Sequence, residues 1–124
     1  SITLFLILSV ICLSACKGTT KHDAKPVVVL TENQMTAIIL DIHLVEGALN
    51  FKRNIGQSME DQKHQYFDQL FREHGTTQRL FRSNLYYYNR TNPELMERIY
   101  DSVTRKLEAM QKELQIENLE SARE

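Results

Sequence analysis

From residue 31 onward, hydrophobic residues recur three or four positions apart, which is the spacing of one face of an α-helix. The first helix is predicted to begin at Thr31, because Thr31 to Gln34 has the form of a capping box and Leu30 and Met35 are placed for a hydrophobic staple. It carries two apolar stripes on roughly opposite sides, one of Met35, Ile38, Ile39, Ile42, Val45 and Leu49 and one of Ala37, Leu40, Leu44, Ala48 and Phe51. A helix that is apolar on two sides is usually central in its fold. The alternative is that one stripe is a docking surface for a partner.

Two shorter helices are predicted next. Residues 58–74 form the second, which buries Met59, Tyr66, Phe67, Leu70 and Phe71. Gly75 ends it, because glycine is favoured in the left-handed conformation that closes a helix. Thr77 then caps the third helix, which ends near Arg90 and turns Leu80, Phe81, Leu85 and Tyr88 inward.

The fourth helix is predicted to begin at Asn92 and Pro93, an N-cap followed by proline in the first turn. Its hydrophobic residues are alternately four and three positions apart, as in a short heptad seam: Met96, Tyr100, Val103, Leu107, Met110 and Leu114. We therefore expect an all-α fold, a small bundle of about four helices over residues 31–114, with a frayed C-terminal tail over residues 115–124. The last turns of the fourth helix should reach beyond a domain of this size.

Residues 1–30 follow a different pattern. Residues 2–13 are an apolar run of about 12, shorter than the roughly 20 that a helix needs to cross a bilayer, and they match the hydrophobic region of a signal peptide. All 15 Lys and Arg and all 16 Asp and Glu lie after Cys16. We interpret residues 1–15 as a lipoprotein signal peptide whose basic beginning is trimmed, and residues 16–30 as a lipidated cysteine and spacer. Within the spacer, Pro26 to Leu30 should be an extended segment laid on the helices.

Leu13-Ser14-Ala15-Cys16 resembles the lipobox of bacterial lipoproteins, an aliphatic residue and two small ones before a cysteine. The resemblance implies cleavage between Ala15 and Cys16 and attachment of lipid to the Cys16 thiol, which is nucleophilic once deprotonated. Two or more acyl chains are enough for stable anchoring. Because Lys17 stands where lipoproteins kept in the inner membrane usually carry aspartate, we expect an outer-membrane protein facing the periplasm. The alternative is an incidental buried cysteine.

The segments MTAIILDIHLVEGALN and FRSNLYYYNRTNPELMERIYDSVTRKL resemble a family of small Bacteroidota lipoproteins catalogued as domain of unknown function 4296. The resemblance covers roughly residues 28–107. The residues that match the expected pattern are Asp41, His43, Glu46, Ser83, Tyr88 and Pro93. It implies a setting in the cell envelope but brings no catalytic residues.

His43 and Glu46 are the strongest candidates for chemistry, because they are three positions apart on one helix and can pair. Asp41 and His43 cannot form a dyad there, since two helical steps separate their side chains by roughly 160°. A metal site inside a bundle normally needs ligands from facing helices as well. We therefore expect no catalytic residue, metal or cofactor, and keep a periplasmic metal-binding protein or enzyme using His43 and Glu46 as the alternative. Asp41 should find a donor on another helix, such as a tyrosine or an arginine.

Arg79, Arg82, Tyr86 and Arg90 fall on one side of the third helix. Tyrosine and arginine are enriched where proteins bind partners, so this basic strip is a possible partner surface, although most such strips are only solvated. The formal net charge of −1 and the export signal both argue against a nucleic-acid partner, and no small-molecule substrate is indicated. The sequence thus predicts a lipid-anchored, periplasm-facing binding or structural module of the cell envelope, with a possible envelope protein as its partner.

Overall fold

A computed structural model describes residues 25–123, and within that range the chain is an all-α bundle. The helices are α1 (Glu32–Asn54), α2 (Lys63–Glu73), α3 (Gln78–Thr91) and α4 (Pro93–Ser121), with a single 3-10 turn at Glu60–Gln62 before α2. No strand is present in the described range. The predicted fold class of four helices is confirmed.

Three of the predicted helix starts are made by the expected side chains. The Thr31 Oγ1 accepts a hydrogen bond from the Gln34 amide at 3.2 Å, and the Gln34 side chain accepts one from the Thr31 amide at 2.9 Å. Thr77 Oγ1 accepts from the Leu80 amide, and Asn92 Oδ1 from the Leu95 amide, both at 3.2 Å. Each contact satisfies a backbone donor that the first turn of a helix leaves unpaired.

The core lies where α1 and α3 both meet α2 and α4. Its buried side chains are Leu30, Met35, Ile38, Ile39, Leu70, Phe71, Phe81, Met96, Ile99 and Val103. The first stripe of α1 supplies three of them, as predicted. The predicted heptad seam of α4 is wrong in one respect, since Ile99 is fully buried whereas Tyr100 is 44% exposed. A spacing of 3.6 residues per turn, rather than a strict 3.5, describes this face.

The second helix is shorter than predicted. It begins at Lys63 rather than at Ser58, and neither the 3-10 turn nor α2 has a side-chain cap. Without a capping residue to fix a start at Ser58, the chain makes a tighter turn first. Leu70 and Phe71 are buried as expected, while Tyr66 is exposed. The helix ends before Gly75, which has a φ of 66° as predicted for a left-handed residue.

The fourth helix is longer than predicted. It continues to Ser121 through residues that we expected to fray, because residues 115–121 contain neither glycine nor proline and are mostly good helix formers. Every residue from 108 to 121 is exposed. The last four turns of α4 therefore reach beyond the core, as the sequence predicted for its end.

Residues 26–30 belong to the folded domain, not to the spacer in which we placed them. Pro26 and Leu30 are buried. Asn84 of α3 holds this extended segment: its Oδ1 accepts from the Leu30 amide at 2.8 Å, and its Nδ2 donates to the Val28 carbonyl at 2.9 Å. The Tyr88 hydroxyl donates to the Leu30 carbonyl at 2.6 Å. Side chains of α3 thus take the place of a neighbouring strand.

Candidate partner-binding groove

A groove opens between α1, α2 and α3, with a volume of about 570 Å³. Its floor is apolar and largely aromatic, and is formed by Ile42, Phe67, Phe71, Phe81 and Leu85. Its rim is polar and charged, and is formed by Glu46, Glu60, Lys63, His64, Gln78 and Arg82. The volume lies within the range of about 300–1,000 Å³ that is usual for ligand sites, and a mainly apolar lining with a few polar groups is also typical.

Local structure explains why the floor is aromatic. Phe71 lies in the last turns of α2 and Phe81 in the first turn and a half of α3, so the tight turn at Gly75 brings the two rings together. Their centroids are 5.5 Å apart with the planes tilted by 36°, a favourable arrangement for two aromatic rings. Both rings are buried against the core, and this fixes the floor on which a partner would lie.

A second, smaller depression continues the groove along α1. It has a volume of about 230 Å³ and shares Glu46, Glu60 and Lys63 with the groove. Its other lining residues are Leu49, Asn50, Arg53, Ser58 and Met59. Together the two depressions extend from α3 to the C-terminal end of α1.

The predicted basic strip borders the groove through one of its residues. Arg79, Arg82, Tyr86 and Arg90 are all exposed on α3, as expected. Arg82 also lines the groove. Helix α3 contains no acidic residue, so the positive charge on this side of the groove is not neutralised within its own helix.

His43 and Glu46 do not form a site with each other. Both are exposed, and no hydrogen bond or ion pair joins them in the part of the chain that the structure describes. Glu46 lines the groove whereas His43 does not. Among residues 25–123, no cluster of three or more His, Cys, Asp and Glu is placed to hold a metal ion.

Asp41 finds its donor on another helix, but the donor is a histidine rather than the tyrosine or arginine we predicted. His74 Nε2 and Asp41 Oδ2 are 2.6 Å apart and join the C-terminal end of α2 to the middle of α1. Local sequence patterns do not connect two residues 33 positions apart.

Two further apolar surfaces are exposed outside the groove. We call the first the outer stripe: it is the C-terminal half of the predicted second stripe of α1, continued to the helix end, and consists of Leu44, Ala48, Phe51 and Ile55. We call the second the α4 end patch: it consists of Met110 and Leu114, which continue the buried face of α4 beyond the core. Phe51 is 64% and Leu114 59% exposed.

Sequence reasoning missed the groove because its lining was assigned elsewhere. Phe67, Phe71, Phe81 and Leu85 were predicted as core, and Lys63 and His64 were given no role. Helical periodicity shows which side of a helix is apolar, but not that three such sides leave a gap between them. The predicted basic strip of α3 was the indication of a charged surface beside it, since it includes Arg82.

Comparison with known protein families identifies the family of this chain. The profile of a domain of unknown function (DUF4296) matches residues 26–113, which is well over half of the 124 residues. The chain belongs to the DUF4296 family. The match begins at the buried Pro26, so the DUF4296 domain includes the extended segment held by Asn84 and Tyr88.

No curated protein and no solved structure matches the chain. Within the described residues, no helix combines the length and the apolar character needed to cross a membrane. The predicted lipid attachment at Cys16 and cleavage after Ala15 lie outside the described residues. The basic strip, His43 and Glu46 lie within the DUF4296 domain.

Proposed function

We propose that this DUF4296 protein is a non-enzymatic, lipid-anchored binding module that faces the periplasm and holds a segment of an envelope protein in the groove between α1, α2 and α3. The observation that carries the proposal is the groove itself, which has a volume of about 570 Å³, a largely aromatic floor and Arg82 at its edge. Aromatic floors with arginine at the edge are characteristic of surfaces that bind partners.

The partner's chemistry follows from the lining. Apolar side chains of the partner would cover Phe67 and Leu85, which are only partly buried. An acidic side chain would meet Arg82, since a guanidinium binds a carboxylate through two parallel hydrogen bonds. Glu46 and Glu60 line the opposite side with Lys63, and they would take a basic or polar group. A segment with an apolar centre and opposite charges at its two ends fits this arrangement.

The anchor is proposed from the sequence. A lipid on Cys16 would leave about nine residues, Lys17 to Lys25, between the membrane and the buried Pro26. An extended chain spans at most about 3.3–3.6 Å per residue, so Pro26, where the folded domain begins, would stay within roughly 30 Å of the membrane surface. This distance favours partners that are themselves membrane proteins or are attached to the membrane.

The binding proposal is tested by photo-crosslinking in living cells. A photoreactive benzoyl-phenylalanine replaces Gln78, which lines the groove, and in a matched control it replaces Asp68, an exposed residue of α2 that does not. We expect one discrete crosslinked protein from position 78 and none from position 68. Equal patterns at both positions, or no product at position 78, would count against the groove as a binding site.

The role of charge is tested in the same cells. Arg82→Glu should remove the crosslink at position 78, because it places a carboxylate where an acidic partner group is expected. Arg105→Glu makes the same change of charge at an exposed position of α4, and should leave the crosslink intact. A crosslink that survives Arg82→Glu would contradict an acidic partner group.

The anchor is tested separately. Cys16→Ser should abolish labelling of the protein by radioactive palmitate and release it from the membrane fraction, because the hydroxyl is a far weaker nucleophile than the thiol. Cys12→Ser changes the other cysteine of the chain and should leave both unaltered. Labelling that persists in the Cys16→Ser variant would refute the anchor while leaving the groove to be judged by its own test.

A further inference from the structure

A second cleft opens between α1 and α2, on a different side of both helices from the groove. We call it the acidic cleft. It has a volume of about 420 Å³ and is lined by Asp41, Leu44, Val45, Tyr66, Gln69, Leu70 and Glu73. None of these residues lines the groove or the smaller depression that continues it. The acidic cleft is therefore a separate cavity.

Two carboxylates lie at one end of the acidic cleft. Asp41 Oδ2 is 2.6 Å from His74 Nε2, so Glu73, the residue before His74, is brought to the same end. Glu73 Oε1 accepts a hydrogen bond from Gln69 Nε2 at 2.8 Å. Each carboxylate is thus held through one oxygen, and the other oxygen of each has no partner within the described residues. No lysine or arginine of residues 25–123 forms an ion pair with either group.

The rest of the acidic cleft is mainly apolar. Leu70 forms a buried floor, whereas Leu44 and Tyr66 are 39% and 37% exposed. Leu44 is also the first residue of the outer stripe, so the cleft opens onto that apolar face. A carboxylate pair at one end of an apolar cleft suits a side chain that combines a hydrocarbon stem with a cationic end. Lysine and arginine are the side chains of this kind.

We propose that the acidic cleft is a second binding site, which takes an arginine side chain of a partner protein. Arginine fits better than lysine because its planar guanidinium presents several N–H donors and can bind carboxylate oxygens in pairs. Its methylene groups would lie over the floor at Leu70, and an apolar neighbour in the partner would cover Leu44 and Tyr66. Charge selects this occupant, since an acidic segment would be repelled by the two carboxylates.

The acidic cleft differs from the groove in charge. Lys63 and Arg82 line the groove beside its glutamates, whereas among the described residues no lysine or arginine lines the cleft. The groove would accept an acidic group at Arg82, and the cleft would accept a basic one. Because the two cavities share no lining residue, both can be filled at the same time. The arginine site therefore goes beyond the function proposed for the groove and is tested independently of it.

The proposal is tested by NMR titration of the isotopically labelled full chain in a non-ionic detergent. The probe is acetyl-leucyl-arginine amide, and its matched control is acetyl-leucyl-citrulline amide, which has a similar shape and no charge. We expect the arginine probe to shift the amide signals of Leu44, Tyr66 and Gln69 saturably. It should bind at least about fivefold more tightly than the citrulline probe. Equal affinities, or no saturable shift at these residues, would overturn the proposal.

Removal of the two charges provides the second arm of the test. Asp41→Asn with Glu73→Gln should weaken binding of the arginine probe about fivefold or more, because the guanidinium then meets no carboxylate. Asp68→Asn with Glu108→Gln removes the same charges at exposed positions outside the cleft, and should leave the affinity unchanged. Circular dichroism checks that the helices of each variant remain formed. An affinity that survives loss of the cleft carboxylates would contradict the site as described.

A third pair of substitutions separates the acidic cleft from the groove. Glu46→Gln with Glu60→Gln removes the two carboxylates that line the groove, and should leave binding of the arginine probe unaltered. A loss of affinity in this variant but not in the cleft variant would assign the arginine to the groove and overturn the proposal. The crosslink from position 78 tests the groove by itself, so failure of one proposal leaves the other standing.

Discussion

The two ends of helix α4 have similar apolar content and opposite environments. In its first half, Met96, Ile99 and Val103 are at most 2% exposed, whereas in its second half Met110, Leu114, Ile116 and Leu119 are each at least 40% exposed. The same holds for α1, which is buried at Met35 and Ile38 and exposed at Phe51. Hydrophobicity alone therefore does not decide burial in this protein. Burial depends on whether another helix or the extended segment lies opposite.

The buried ends share a feature that the exposed ends lack. Near the start of α1 the chain uses polar contacts of high specificity: Asn84 and Tyr88 fix residues 28 and 30, and Glu32 forms an ion pair with Arg98 of α4 at 3.1 Å. The hydrogen bonds that Arg98 donates to Glu32, together with the opposite charge of that carboxylate, raise the pKa of Arg98 above its usual value. One end of the molecule is thus the stable framework. The other presents apolar surface for binding, where larger exposed patches usually mark interaction sites.

The largest difference is expected from the same substitution at the two ends of α4. Ile99→Ala removes a fully buried side chain and should lower the free energy of unfolding by about 2–5 kcal/mol, since it leaves a cavity as well as losing apolar burial. Ile116→Ala changes a side chain that is 48% exposed, and its effect should be within about 0.5 kcal/mol. Urea unfolding followed by circular dichroism measures both. Similar losses for the two variants would show that the far end of α4 is part of the core.

Replacing two asparagines of α3 by alanine, one at a time, should show nearly as large a contrast in the free energy of unfolding. Asn84→Ala removes three hydrogen bonds, to the Leu30 amide and to the Val28 and Leu80 carbonyls, and should cost about 2–3 kcal/mol because a buried backbone amide is left unpaired. Asn89→Ala, at an exposed position of the same helix, should cost less than about 0.5 kcal/mol. The same unfolding measurement applies. In addition, limited proteolysis should cut Asn84→Ala, but not Asn89→Ala, near residues 26–30.

The helices and their caps could be predicted from sequence because both depend on residues close together in the chain. The capping box at Thr31, the cap at Thr77 and the Asn92-Pro93 start are all local patterns, and all three are observed. The first stripe of α1 was also predicted correctly. Local patterns indicate where a helix begins and which side of it is apolar.

The contacts that define the framework and the groove join residues far apart in sequence. Asn84 reaches residues more than 50 positions away, and Asp41 meets His74 across 33. Helical spacing places Asn84 on the predicted inward face of α3 with Phe81 and Tyr88, but it does not show which distant backbone groups Asn84 would bind. The groove was missed for the same reason, because it exists only where three helices come together. The extent of α4 was underestimated because a helix rich in good formers can continue without tertiary contacts.

Tyr88→Phe should have an intermediate effect on the free energy of unfolding, and the effect should depend on pH. The Tyr88 hydroxyl donates to the Leu30 carbonyl, and burial, with a smaller contribution from Tyr87, raises its pKa above the ordinary 10.0. The folded state therefore holds this proton more tightly than the unfolded state. The stabilisation is complete below pH 10 and is lost as the pH rises above it. Tyr88→Phe should lose about 1 kcal/mol at pH 7, and should lose less stability than the parent protein as the pH rises above 10.

Thermal unfolding across that range provides the measurement. Tyr86→Phe, on the same helix at a 43% exposed position, is the control and should keep the alkaline loss of the parent protein. If Tyr88→Phe loses stability above pH 10 as steeply as the parent protein does, another group is responsible for the alkaline transition. The role of Tyr88 in holding residues 26–30 would then depend on the neutral measurement alone.

The smallest effect on the free energy of unfolding is expected for the contact between Asp41 and His74. This contact lies between the framework and the exposed half of α1. Their side chains are 44% and 22% exposed, so solvent screens the pair and its coupling should be only about 0.3–1 kcal/mol despite the 2.6 Å contact. A double-mutant cycle of Asp41→Asn and His74→Gln isolates that energy from other effects of each change. A control cycle combines Asp41→Asn with His64→Gln, which changes an exposed histidine of α2. This cycle should give no coupling. A coupling above about 2 kcal/mol would place this contact in the framework, and would move the boundary between the two regions of α1 from near Ile39 to beyond Asp41.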